Sequence, residues 1–229
     1  NNNKKGHKMK KLTLAIFLVL ASFSMVSAEI GLKVGFNAQL GEFNTSGFET
    51  EGTETSETMK EQGFVGLASY FIEQNLGILP GPFGRISVGY SHVPHDLKSG
   101  TSSNSRTDQD TNTVDSPVLN SISADISNYD TLYVSVNIFD WLYVKAGSVD
   151  LDVKTTENLE TGSQYPNTSL SGDIIGFGVH HQTESGFFGR LEYLDTSIGG
   201  TTLTSSTNSD NKVTLKDLEG ETLGLSFGK

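Results

Sequence analysis

The chain has no cysteine. That excludes disulfides, thiolate metal sites, a cysteine nucleophile and a lipid-modified N-terminal cysteine. Basic residues are scarce, 16 against 27 acidic ones, and this imbalance repels nucleic acid and anionic headgroups, which excludes nucleic acid as a partner. Long apolar runs are missing as well: the most apolar segment, Leu12 to Leu20, falls short of the ~20 residues a spanning helix needs. Beyond Ala28 there is no helical periodicity, and Gly-x-Ser-x-Gly, phosphate-loop and zinc-ligand spacings are absent. No cofactor is implied.

What is present begins with an export signal. Met9-Lys10-Lys11 supplies a basic region, Leu12 to Leu20 an apolar one and Val26-Ser27-Ala28 a small-residue cleavage site. Residues 9–28 therefore read as a Sec-type signal peptide that leaves Glu29 as the mature N-terminus. Residues 1–8 precede Met9 and read as an upstream extension or scar. Lys4, Lys5, Lys8, Lys10 and Lys11 depart with this leader, leaving 11 basic residues against 27 acidic ones and a mature charge near −16. Without disulfides, such an exported chain must be held by its fold alone.

From residue 29 onward apolar and polar residues alternate with period two, in eight segments. In EIGLKVGFNAQLG, Ile30, Leu32, Val34, Phe36, Ala38 and Leu40 share one face, and Lys33, Asn37 and Gln39 the other. GFVGLASYFIE is apolar on both faces, so its register is open. FGRISVGYSH follows, with Ile86, Val88 and Tyr90 opposite Arg85, Ser87 and Gly89. In YVSVNIFDWLYVKAG, Val134, Val136 and Ile138, with Leu132 before them, precede a tight corner at Asp140, after which Leu142, Val144 and Ala146 resume the pattern. The apolar set then moves to Val149, Leu151 and Val153, a change of parity that predicts a bulge near Gly147 or Ser148. The last three segments carry Ile175, Phe177 and Val179, then Leu191 and Tyr193, then Leu223, Leu225 and Phe227. The connections alternate between long polar loops (44–60, 97–124, 154–171 and 197–211) and short turns.

An even strand count with short turns at one end and long polar loops at the other predicts an all-β, eight-stranded antiparallel up-and-down transmembrane β-barrel over 29–229. The face opposite the apolar one is mostly Gly, Ser and Asn, which suits a crowded small-barrel lumen better than a solvated sheet surface. A soluble, lipocalin-like periplasmic ligand-binding barrel is the alternative fold, with its apolar face inward.

The leader, the eight alternating strands, the asymmetric connections and the terminal TLGLSFGK resemble the small bacterial outer-membrane barrels of the OmpX/opacity type, a porin-like family. The chain departs from the family's usual aromatic ending by following Phe227 with Gly228 and Lys229. The resemblance implies a cell outer-membrane location, contact with outer-membrane lipids and with the barrel-assembly machinery, and an extracellular ligand or phage as a partner of the loops. The function expected is structural or surface-interacting, with a plugged lumen and long acidic loops. A narrow channel for small solutes and a lipid-modifying enzyme with a rim site are the alternatives.

Three groups of residues are candidates for a site. Lys33, Arg85, Lys145 and Arg190, one on each rising strand, with Glu192 beside Arg190, are expected to form a lumenal charge network, because charges in a narrow lumen are costly unless paired. Glu73 joins them if its register permits. Trp141, Tyr143 and Phe187, at short turns, are expected to mark the membrane interface. His92, His95 and Asp96 lie near the outer rim, where they suit a metal or an acid–base pair. His180 and His181 lie at the opposite end, and as neighbours on a strand they point to opposite faces.

Overall fold

The computed structural model describes residues 31–79, 82–99, 102–106, 118–159 and 162–229. The leader expected over 9–28, the extension expected over 1–8 and most of the polar stretch 101–115 lie outside the described residues. Among those described, no helix is long and apolar enough to cross a membrane; strands form the spanning structure.

Eight long strands make up the wall: β1 Leu32–Glu51, β2 Met59–Asn75, β3 Ile86–His92, β4 Val118–Asn137, β5 Leu142–Asn158, β6 Thr168–Gln182, β7 Phe188–Ile198 and β8 Leu218–Gly228. Each pairs antiparallel with its neighbours in sequence, and β1 pairs with both β2 and β8, so the ring closes. Closure lets a sheet satisfy its backbone hydrogen bonds in lipid; β2 and β3 are paired over Tyr70–Asn75 and Ser87–His92.

The outward face carries the apolar alternation. Val34, Phe36 and Leu40 on β1, Leu132 and Val134 on β4, Ile175 and Phe177 on β6, and Leu223, Leu225 and Phe227 on β8 are all exposed, Phe36 at 66%. A soluble barrel would hide these side chains, so the lipocalin-like alternative fails and the wall is that of a transmembrane barrel. The apolar band ends above at outward carboxylates that meet in register on three adjacent strands, Glu42 opposite Glu221 and Glu221 opposite Asp195. It ends below at the short turns. β2 resolves with Leu67, Ser69, Phe71 and Glu73 inward and Phe64 outward.

Two expectations about the wall need correction. No bulge occurs at Gly147 or Ser148: β5 keeps unbroken register there with β4 on one side and β6 on the other. Val149 and Leu151 instead point inward with the same parity as Lys145. They join Tyr133, Leu170, Ile174 and Ile198 in an apolar cluster, in which Val149 and Ile198 are fully buried. The inward face simply changes from polar to apolar at that height. The irregularity falls on β4, between Ser127 and Asp130, where Asn128 takes a left-handed conformation with φ 53°, which asparagine tolerates better than most residues.

The second correction concerns the polar loops. β1 and β2 stay paired as far as Gly47 and Met59, and β1 then turns back on the short strand Glu54–Thr55. β4 and β5 remain paired up to Ser121 and Asn158. Thr201–Thr204 and Lys212–Leu215 form a hairpin that docks on the upper part of β1. These strands are rich in Thr and Ser on both faces and carry little apolar alternation, so period-two patterning could not reveal this crown.

Candidate functional site

The described inward side chains lie in two layers, polar below and apolar above. In the lower one, β1, β2, β5, β7 and β8 each place a polar or charged side chain at inward parity. Arg190 reaches across the barrel to Glu73 with two hydrogen bonds, Nη1 to Oε2 and Nη2 to Oε1, both 2.8 Å. Tyr133 donates its hydroxyl to the same carboxylate at 3.3 Å. Lys145 Nζ lies 3.2 Å from Glu192 Oε1 and 3.9 Å from the centroid of the Tyr133 ring. Asn37 joins the pair to the wall, donating to Glu192 at 3.2 Å and to Ser226 at 2.6 Å. The Arg190 guanidinium also stacks over Phe188, 4.7 Å from its centroid.

Charged groups at this depth persist when each is bonded, and the fork geometry of Arg190 on Glu73 is the strongest form of that contact. Lys33 sits opposite Glu73 in register, half-buried, with its ammonium 5.6 Å from the Phe188 centroid. The described lower layer thus holds three cations and two carboxylates.

Arg85 is not part of it. It ends the short turn Pro82–Arg85, is exposed, and donates to the Ile138 carbonyl at 3.1 Å in the neighbouring turn. The chain enters β3 only at Ile86, one residue after the position that alternation counted as inward. Tyr143 also departs from expectation: it faces the lumen at 2% exposure, beside Arg190, rather than the membrane interface. It shares parity with Lys145, and strand parity outweighs the preference of tyrosine for interfaces. Trp141 and Phe187 are exposed at the turns, and Trp141 stacks on Phe139 at 5.8 Å.

Two glycines make room for the buried rings. A Cβ on Gly89 would lie 2.2 Å from Tyr133 Cζ, and one on Gly178 would lie 2.5 Å from the Tyr143 hydroxyl. Each ring therefore lies flat over a glycine on the adjoining strand.

At the outer rim, His92 faces outward and its Nδ1 lies 2.6 Å from Asp130 Oδ1, which also accepts from the Tyr90 hydroxyl at 2.6 Å. His95 and Asp96 are exposed in the following loop. Asp130, on β4, is thus the partner of His92, a pairing that spacing within one segment could not suggest. Among the described residues no three such groups are placed to hold a metal ion.

Above the apolar cluster the crown encloses a cleft of about 240 Å³ between the upper parts of β1, β2 and β4 and the Lys212–Leu215 strand. Its walls include Phe48, Met59, Ile122 and Leu215, and Tyr165, Glu49 and Glu61 stand at it. Tyr165 donates its hydroxyl to Glu49 Oε1 at 3.4 Å. Burial, reinforced by the Glu49 charge, holds the Tyr165 phenol above its ordinary pKa.

A closed eight-stranded barrel with an apolar exterior defines the class, a small transmembrane β-barrel. Among solved structures the chain is similar to Ail, the attachment invasion locus protein of Yersinia pestis, in complex with the heparin analogue sucrose octasulfate. The identity is 13% over 86% of this chain and 99% of that one, with a TM-score of 0.34. It is also similar to Neisserial surface protein A (10% identity, 86% and 96% coverage, TM-score 0.35) and to the outer membrane protease OmpT of Escherichia coli (9% identity, 86% and 96% coverage, TM-score 0.44). No family model and no curated protein sequence matches the chain.

Proposed function

We propose that this protein is an outer-membrane barrel with a closed lumen, delivered by the 9–28 leader and the barrel-assembly machinery, whose role is carried by its crown as a surface-interaction module. The observation that supports this reading best is the double closure of the interior. The Arg190–Glu73 and Lys145–Glu192 pairs cross the lower lumen, and an apolar cluster with Val149 and Ile198 fully buried lies above them. Side chains that cross the lumen in this way narrow any water path, which favours a closed interior over the channel reading.

The strands, by contrast, continue past the carboxylate rim into a paired, acidic crown. Its β1–β2 portion carries Glu49, Glu51, Glu57 and Glu61 against Lys60. That charge would repel a polyanion of the kind seen with Ail and favours cationic partners.

Two measurements test the proposal. In planar bilayers the purified protein is expected to show no unitary conductance above baseline; sustained steps would favour the channel. An epitope placed at Gly52 is expected to bind antibody on intact cells, whereas one at Ser185 should bind only after the outer membrane is permeabilised. The reverse labelling would overturn the topology.

A further inference from the structure

We propose that the upper edge of β2, from Lys60 down to Ala68, is a docking edge for an extended peptide strand of a partner protein. The inference deepens the surface-interaction reading and rests on it for its biological setting.

Pairing comes first. β1 is paired with β2 from Met59 to Gln74, whereas β3 is paired with it only from Tyr70 to Asn75. Beyond His92 the chain turns to β4 instead. Val93 N–H donates to the Tyr129 carbonyl, and Leu97–Lys98 and Ser102–Arg106 pair with β4. Above Tyr70, β2 therefore has no strand on its second side among the described residues. Exposure agrees, since every residue from Met59 to Phe64 is exposed, on both faces of the strand.

Direction comes second. Asn75 N–H bonds to the Gly31 carbonyl, so odd-numbered residues of β2 turn their backbone groups to β1 and even-numbered ones turn theirs away. Lys60, Gln62, Phe64, Gly66 and Ala68 thus present N–H and C=O to the open side. Gly66 lies opposite Leu40 and Ala68 opposite Ala38, within the apolar band, where unpaired backbone groups are costly. Over Gly63 to Ser69 the sequence GFVGLAS has neither the charge nor the proline with which edges resist pairing.

The occupant follows from that chemistry. Donors and acceptors alternating along one extended backbone are matched by another extended backbone. The small residues Gly66 and Ala68 let it approach, and Leu67 on the inner face and Phe64 on the outer one favour apolar side chains beside them. The stretch 107–117 cannot supply this strand, because about eleven residues going out from Arg106 and back to Val118 reach roughly 18 Å. Continuing the Tyr70–His92 register puts Gly66 about ten residues below Arg106, roughly 30 Å away. Residues 100–101 are tied at both ends to strands on β4, and 1–30 and 80–81 join the wall at its opposite end.

The test uses the full mature chain in nanodiscs. The probe is a short fluorescein-labelled peptide of alternating valine and threonine, read by fluorescence anisotropy against empty nanodiscs. A copy N-methylated at every backbone amide is the control. The plain peptide is expected to bind and the methylated one to stay free. Gly66→Pro removes one N–H from the open side and leaves the bonds to β1 intact, so it should weaken binding roughly tenfold. Gln62→Pro, higher on the same edge, should weaken it as well, each variant keeping its heat-modifiable migration on gels.

No binding, equal binding of the methylated peptide, or binding indifferent to both proline variants would each overturn the proposal. Disulfide-linked dimers of Gly66→Cys formed without peptide would also overturn it, by giving the edge to a second copy. Binding in nanodiscs does not depend on sidedness or conductance, so its failure is distinct from a failure of the surface-interaction reading.

Discussion

Arg190 on β7 grips Glu73 on β2 across the barrel through two parallel 2.8 Å hydrogen bonds, and neither residue is more than 7% exposed. The pair ties opposite walls together below the apolar cluster. Truncating one partner strands the other charge in the lumen, which costs about 3–5 kcal/mol in buried pairs of this kind. Arg190→Ala or Glu73→Ala should each lower the urea midpoint of unfolding in liposomes, whereas Arg190→Met with Glu73→Leu should lose much less than the two single losses added. Strict additivity would show that the pair is not coupled.

Lys145 lies over the Tyr133 ring, and the Tyr133 ring lies over Gly89. A methyl group added at Gly89 would overlap the ring, so Gly89→Ala must displace Tyr133 or bend β3. Overpacking of this sort costs roughly 1–3 kcal/mol. The variant is expected to unfold at lower urea, and pairing it with Tyr133→Leu should recover part of the loss. An unchanged midpoint for the single variant would contradict the packing described.

Trp141 is the single tryptophan, 57% exposed at the turn between β4 and β5 and stacked on Phe139. An aromatic residue at that height belongs in the headgroup region. Its emission should be quenched more by lipids brominated near the headgroup than by lipids brominated near the chain ends. Equal quenching by both, or none, would move the turn out of the interface.

The barrel itself is legible because lipid imposes the same alternation on most strands, as in Val34, Phe36 and Leu40 or Leu223, Leu225 and Phe227, with GFVGLASYFIE, apolar on both faces, the exception. The inward parity of Lys33, Lys145, Arg190 and Glu192 follows from the same rule. What alternation could not reveal is where a strand begins or what height a side chain occupies. Arg85 lies one residue outside β3, in a turn. Tyr143, an aromatic residue at a short turn, reads as interfacial, although its parity with Lys145 places it inside. Val149 and Leu151 suggested a flipped register because an apolar plug inside a barrel and a lipid-facing wall use the same residues. The crown is hidden for the opposite reason, since strands with Thr and Ser on both faces leave no periodic signature.

The absence of cysteine makes the most direct test of the lipid-facing wall simple to build. Single cysteines placed in turn from Leu132 to Asn137, each carrying a nitroxide, can be read in bilayers for collision with oxygen, which concentrates in lipid, and with a water-soluble nickel chelate. Labels at 132, 134 and 136 are expected to favour oxygen, and labels at 133, 135 and 137 to be shielded from it, giving a period of two. Nickel access at 132, 134 and 136, or no alternation along the strand, would contradict a barrel whose apolar face meets lipid.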